Sequence, residues 1–402
     1  MATDFLHGVQ VVNIDSGARP ISVPATSVIG VVGTAPGADP EAFPEDTPVL
    51  VTSLTEAAKL GELTGDSEKD GTLPGALSGI YKQAGAVVVV IRVKAGENAT
   101  QTMAAIIGGV NSANGTYMGV HALLAAESVV GVKPRILIAP GFTHQRPEDA
   151  ANSGATLANP VTAELKGIAK RLRAIIVKDG PNTNDATALA DAKDGGERVY
   201  CVDPFVIASI GGESRAVPNS SYVAGAIARS DSERGWWASP SNFEIFGITG
   251  TARPIDFALS DPACRANLLN AGNVTTIIRQ GGFRLWGNRT QGVDPKWQFL
   301  CVLRTSDIIA DALERSHMWA VDMGITKTYA EDVREGVLSF LRGLVAQGAI
   351  LGGDCWVDPE LNTANNIKQG KFYWDFEFTP TYPGEQLTFR AHMTDRYISE
   401  IF

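Results

Sequence analysis

Residues 27–37 read SVIGVVGTAPG. An apolar run from Val28 to Val32 breaks into a turn with glycines at 33 and 37. Many phosphate-cradling loops begin this way, with a strand, then glycines, then a helix N-terminus facing an anion. The chemistry that follows decides against it. A Walker loop needs GxxxxGK[ST], because the lysine neutralises phosphate and the hydroxyl binds magnesium. Here Gly33 leads into Thr34-Ala35-Pro36-Gly37-Ala38-Asp39-Pro40, with no lysine, a repelling carboxylate and two prolines that block a helix start. No GxG triplet occurs anywhere, so the dinucleotide fingerprint fails as well. The stretch reads as a buried strand that ends in a structural turn.

Working outward, 27–234 alternates strands and helices. Strands are expected at Val28–Val32, Val87–Val93, Arg135–Ala139, Ala174–Val177 and Val199–Val202. Each is a short apolar run, the pattern of strands buried on both faces of a mainly parallel sheet. Helices are expected at Leu73–Gln83 and Pro160–Arg173, the latter with Leu165, Ile168, Ala169 and Leu172 at helical spacing. This is an α/β layered arrangement. After the loop GWWASPSN (235–242) the texture changes. Helices are expected at Arg304–Met318 and Glu331–Val345, the second opened by Thr328 and Glu331 in capping-box spacing. KFYWDFEFT (371–379) alternates as a strand, with Phe372, Trp374, Phe376 and Phe378 on one face. Gln386–Thr394 alternates too, and the two are expected to pair as a hairpin.

Composition bounds the function. The 402 residues are enough for about two or three domains. A net charge of −10 argues against general nucleic-acid binding, which needs a basic face. The cysteines, Cys201, Cys264, Cys301 and Cys355, form no CxxC and read as buried thiols in a reducing compartment. The start of the chain lacks the apolar core of a signal peptide, and no apolar run approaches the ~20 residues of a membrane span. Synthesis and retention in a cytoplasm are expected, unless a larger particle carries the protein out.

Catalytic and metal signals are thin. There is no GxSxG elbow and no HExxH. The five histidines are scattered, and Pro147 separates His144 from Glu148 and Asp149. Asp311, Glu314 and Arg315 share a helix face and read as solvated or interface charge. Trp236 and Trp237 read as packing. No cofactor, metal or catalytic group is expected, so the chain reads as an α/β enzyme scaffold without an evident catalytic group.

Two features do not suit a monomer. Gly8–Ile14 is strand-like without a neighbour to pair with, and DRYISEIF (395–402) leaves an apolar terminus. Such arms add strands to a neighbour's sheet edge. Where they link successive neighbours head to tail, the product is a helical filament or tube.

HGVQVVNIDSGARPISVPATSVIGVVGTAP (7–36), GWWASPSN (235–242), GITGTARPIDF (247–257), LLNAGNVTTIIRQGGFRLWGNRT (268–290) and MWAVDMGITKT (318–328) together resemble the tail sheath proteins of contractile-tailed bacteriophages. The likeness is nearest to the short sheaths of temperate phages and R-type pyocins. It runs through essentially the whole chain, and GFRLWGNRT (282–290) is its most specific piece.

The resemblance implies a mixed multi-domain α/β subunit with an α+β C-terminal inner domain and extended terminal β arms. The expected divisions are an arm over 1–25, an outer domain over 26–240, a tube-facing domain over 241–380 and a C-terminal strand and arm over 381–402. It implies a structural subunit that polymerises around a tail tube and contracts to drive the tube through a host envelope for genome delivery. Its expected place is the virion tail, assembled in host cytoplasm. Expected partners are copies of itself, the tube protein, and baseplate and terminator proteins, with no nucleic acid or membrane. The resemblance assigns Val9, Val11 and Ile14 to the N-terminal arm, and Tyr397, Ile398 and Ile401 to the C-terminal one. Tube-facing candidates are Arg304, Asp307, Asp311, Glu314, Arg315, Lys327 and Arg334. The alternatives are the sheath of a pyocin-like bacteriocin or other contractile injection system and, more distantly, a nucleotide-dependent α/β enzyme.

Overall fold

The stretch at 27–37 lies near the middle of the main sheet of the computed structural model, which describes residues 20–400 apart from 150, 153 and 155. Its strand β1 (Ile29–Thr34) is followed by β2 (Val49–Val51), β3 (Val88–Val93), β4 (Ile136–Ile138), β5 (Ile175–Asp179) and β6 (Val199–Val202). The order across the sheet is β2-β3-β1-β4-β5-β6. All pairings are parallel except β2 with β3. In register, Ile29 lies opposite Val88 on one side and Ile136 on the other.

Both faces are covered, which is why these strands read as apolar runs. On one face Ile29, Val31, Val90 and Ile138 pack with α1 (Leu73–Tyr81) and α3 (Ser220–Arg234), through Leu77, Ile80, Val223 and Ile227. On the other, Val32, Val89, Ile91 and Leu137 pack with Leu165 and Ile168 of α2 (Pro160–Leu172). Pro160 opens α2, and the Asn159 side chain accepts from Thr162 N at 2.8 Å. The glycines of the opening stretch make room here. A Cβ on Gly33 would come within 2.3 Å of Thr72 Oγ1, the atom that accepts from Thr34 N. A Cβ on Gly30 would come within 2.8 Å of Leu123. Gly30 and Gly33 therefore serve close packing against neighbouring side chains.

Beyond β6 the sheets turn antiparallel. β7 (Val206–Ile210) pairs with β8 (Glu213–Val217) and with β10 (Gly250–Thr251). β9 (Phe243–Glu244) pairs with β12 (Phe283–Trp286), which also pairs with β11 (Thr276–Arg279). Ile277, Leu285, Leu300 and Leu303 join the same core cluster as Ile29, so packing runs without a break across residue 240.

The C-terminal part consists of α4 (Leu300–Ser316), α5 (Lys327–Gln347), β13 (Ile350–Val357) and β14 (Trp374–Pro380). Thr326 caps α5 by accepting from Tyr329 N at 3.1 Å, two residues ahead of the cap expected from Thr328. The expected hairpin is corrected. β14 pairs antiparallel with β13, Val357 opposite Trp374, and 386–394 forms no strand. Gly352, Gly353 and Asp354 dilute the alternation of β13, and this concealed the true partner.

The charged residues of α4 require a second correction. Arg304, Asp307 and Asp311, expected to face a tube, are buried. Asp311 pairs with Arg135, with Lys133 at 3.1 Å and with Arg173 at 3.6 Å. Asp307 takes both ends of the Arg198 guanidinium, at 2.5 and 2.8 Å. Arg304 grips Asp231 of α3 at 2.5 and 2.7 Å and donates to the Thr26 carbonyl at 3.3 Å. Arg135, Arg173 and Arg198 each stand just ahead of a strand, β4, β5 and β6 respectively. One helix thus collects the entry ends of three strands and the root of the N-terminal segment. Burial works to raise the Asp311 carboxyl, but the charges of Arg135, Lys133 and Arg315 outweigh it and hold it below the usual range.

Asp311→Ala would leave Arg135 and Lys133 poorly solvated without a counter-charge. The expected loss is about 3–5 kcal/mol of unfolding free energy, read by denaturant titration at neutral pH. A loss below about 1 kcal/mol, the size of an exposed pair, would contradict this account of the clamp.

Asp179 supplies a pH signature. Complete burial pushes its carboxyl up to about 6, against hydrogen bonds from Ser220 N, Ser220 Oγ and Thr143 Oγ1. The folded chain therefore holds this proton more tightly than the unfolded chain, whose value is near 3.8. The resulting stability is present in full below 3.8 and is lost as pH rises through about 6. Relative to Asp179→Asn, the native chain should lose melting temperature steadily between these two values. Parallel melting curves across that window would refute the assignment.

Candidate assembly surface

α5 is amphipathic. Val337, Leu338, Phe340, Leu341 and Leu344 face a cluster that also takes Ile308, Ile309 and Ala312 of α4, with Trp236 and Cys355. Trp374 and Phe378 close this cluster from β14, and Trp374 Nε1 donates to the Ala330 carbonyl at 3.2 Å. The β13–β14 sheet therefore rests on α5 by one face. Trp236 meets Trp237 edge to face at 5.1 Å, within this core.

The other features of the sheet are unusual for a finished domain. It has two strands only, and among the described residues neither outer edge has a strand partner. A two-stranded sheet is marginal in water, and an open edge is a template for another strand. Its outer face exposes Leu351 and Trp356 beside Asp354 and Glu377, two like charges directly opposite in register. Beyond Pro380 the chain runs on with large apolar side chains unburied: Leu387 is 76% exposed, Phe389 93% and Met393 102%. The segment is tethered at its start, where Arg289 pairs with Glu385 and Phe299 meets Tyr382.

Two clefts border α5. One, of about 350 Å³, lies between Ile21 and Val23 and the helix residues Gly336, Phe340, Gly343 and Leu344. Through it the N-terminal segment joins the body. The other, of about 430 Å³, lies at the start of α5, floored by Ile325, Ala330, Val357, Ile367 and Phe372 and rimmed by Lys327, Glu331 and Arg334.

Of the expected site residues, Tyr397 and Ile398 are exposed. Val9, Val11, Ile14 and Ile401 lie outside the described residues. Arg304, Asp307 and Asp311 are taken up inside the chain. Glu314 and Arg315 remain at the surface, paired with Arg173 and Glu127, while Lys327 and Arg334 stand on the cleft rim. Sequence reasoning missed β13. The available signal was the apolar pair Ile350-Leu351 after the Gly348 helix stop, with Cys355-Trp356-Val357 at the far end. Among the described residues no group of acidic, cysteine or histidine side chains could hold a metal, all four cysteines are buried and free, and no helix is long and apolar enough to cross a membrane.

Comparison with known proteins finds similarity along nearly the whole chain. Three family models match in succession: the tail sheath protein Gp18 domain III N-terminal region over 26–93, the phage tail sheath protein central domain over 115–291, and the phage tail sheath C-terminal domain over 292–394. A prophage major tail sheath protein of Pseudomonas aeruginosa is 44% identical over 401 residues, covering 99% of this chain and 98% of the relative. The tail sheath protein of Escherichia phage P2 is 36% identical, covering 99% and 98%. In fold, the chain is similar to the contracted sheath of the extracellular contractile injection system PVC, with a TM-score of 0.70 at 17% identity over 98% of this chain and 99% of that one. It is also similar to the contracted helical sheath of the anti-feeding prophage, at 0.69, 19%, 98% and 100%. The chain belongs to the phage tail sheath family.

Proposed function

We propose that this chain is a structural subunit of a contractile tail sheath, one that acts by assembly and shape change instead of catalysis. The observation that carries this reading is the unfinished β13–β14 sheet, open on both edges among the described residues, in a chain whose C-terminal segment leaves the body with apolar residues unburied. Strands from the arms of neighbouring copies would complete it, main-chain hydrogen bonds giving affinity and alternate side chains giving register. Arms that join different neighbours generate an open helix instead of a closed dimer. The division into terminal arms, an outer α/β body and an inner C-terminal part belongs to the same reading.

Contraction then needs no nucleotide. A lattice held in a higher-energy extended state by a barrier releases free energy when the bodies rotate, while the arms keep the copies linked. About 1–3 kcal/mol per subunit, the usual size of a coupling energy, summed over many copies is a large mechanical output. The α4 clamp suits this role, because it makes body and C-terminal sheet turn as one unit. With Arg304, Asp307 and Asp311 taken up in that clamp, we assign the tube contact to the end of α4 and the segment after it. There the surface charges Glu314 and Arg315 adjoin exposed Met318, Val321 and Met323. Other contractile injection devices share the fold, and a sheath in one of them is the second reading.

Purified protein should form hollow helical tubes visible by negative-stain microscopy, in the contracted, lower-energy form. Deleting residues 1–20 should abolish the tubes while leaving the circular dichroism and melting temperature of the body nearly unchanged. Unchanged tubes from the shortened chain would refute the role given to the arm, and a persistently monomeric full-length protein would refute polymerisation itself.

A further inference from the structure

We propose that Asn114–Gly115 is a self-modifying site, where the asparagine amide is converted to a carboxylate by the chain itself in water. The proposal is independent of the assembly reading, because it needs only the folded chain, water and hydroxide. Asn-Gly occurs once in the 402 residues. Glycine matters there because it carries no Cβ to crowd its backbone nitrogen against the preceding side chain. The dipeptide stands at the tip of a short hairpin, in which Gly109–Val110 pairs antiparallel with Tyr117–Met118. Residues 112–116 are exposed, and Gly115 takes the left-handed conformation, at φ +72°, that closes the loop.

The side chain is held for reaction. Asn114 Oδ1 accepts from Thr116 N at 3.1 Å and from Thr116 Oγ1 at 2.7 Å. This turn folds the amide over the backbone that follows it and aims two donors at the oxygen where negative charge develops. In the first step hydroxide removes the Gly115 amide proton, and the nitrogen attacks Asn114 Cγ. The new N–Cγ bond closes a five-membered succinimide. The Cγ–Nδ2 bond breaks, and the leaving nitrogen takes a proton from water and departs as ammonia, which regenerates the hydroxide. In the second step water opens the ring. Opening at Cγ leaves an aspartyl residue, and opening at the main-chain carbonyl leaves an isoaspartyl one. The sum is one water consumed and one ammonia released, with nothing oxidised or reduced. The Gly115 N–H is donated to the Asn111 carbonyl at 2.7 Å, so that bond opens first. It lies at an exposed loop tip, where local opening is easiest.

The two products differ in what they do to the hairpin. The aspartyl form keeps an oxygen for the Thr116 donors and adds one negative charge. The isoaspartyl form reroutes the chain through the side chain, inserting a carbon that breaks the register in which Asn111 N donates to the Thr116 carbonyl at 2.8 Å. Asn111, in the same loop, is a built-in control. Its Oδ1 accepts from Ala113 N at 2.9 Å, but Ser112 follows it, with a Cβ that hinders the attack.

The test ages the folded full-length protein in mildly alkaline buffer and follows each asparagine by peptide mass mapping. Asn114 should exchange its amide nitrogen for oxygen while Asn111 keeps its own. Thr116→Val should slow the change about fivefold, the kinetic equivalent of a hydrogen bond of ~1 kcal/mol. Thr116→Ser, which restores the hydroxyl, should return the native rate, with circular dichroism unchanged in both variants. Asn114→Asp should match the unaged protein in hydrogen exchange, whereas the isoaspartyl fraction of aged protein should exchange faster at the Asn111 and Gly115 amides. An Asn114 that persists in the folded protein while the urea-unfolded chain loses it would overturn the proposal. So would equal rates in the valine and serine variants, or an equal loss at Asn111.

Discussion

The buried charges of α4 are the constraint on which the rest of the molecule depends. A carboxylate in a protein interior is costly unless its partners are close and well placed. Asp311 and Asp307 meet that condition only because the chain sets cations ahead of β4, β5 and β6, where the entry ends of three parallel strands converge. Arg304 completes the row by reaching Asp231 and the Thr26 carbonyl. The apolar side of the same helix packs against α5 and carries the C-terminal sheet. Ionic contacts on one flank and apolar contacts on the other make α4 the link between a conventional α/β body and an edge-exposed sheet. A subunit that must turn without coming apart needs such a link more than it needs a catalytic cleft.

Much of the α/β body was legible in the sequence, because burial on both sheet faces leaves an unmistakable mark. The apolar runs at Val28–Val32 and Val199–Val202 became β1 and β6 with little change of boundary, and Pro160 marked the start of α2. What was not legible depended on partners distant in sequence. A helix-face pattern of Arg304, Asp307, Asp311 and Arg315 looks the same whether it faces water or a row of cations. Only the fold brings Lys133 and Arg135 to Asp311, more than 170 positions away in sequence. Strand pairing failed for a related reason. The alternation of Gln386–Thr394 is real, but its apolar side chains find no cover among the described residues, while β13 hides behind two glycines.

The glycines of SVIGVVGTAPG show how one pattern serves opposite ends. In a phosphate loop they free the backbone to approach an anion. Here Gly33 admits the Thr72 hydroxyl and Gly30 admits Leu123, so the same economy of side chain draws a helix and a loop onto the central strand. A few residues upstream, Thr26 ties the entering segment to the clamp. The stretch thus sits just past the point where the entering segment is fastened to the clamp.

The central claim is that copies of this chain are joined by strands added to the β13–β14 sheet. A helical reconstruction of tubes grown from the purified protein, at a resolution that traces the backbone, tests it most directly. The account predicts that this sheet gains at least one strand contributed by a neighbouring copy, with the α4 clamp intact in every subunit. Tubes in which β13 and β14 remain a two-stranded sheet, or in which copies meet only through their α/β bodies, would contradict it.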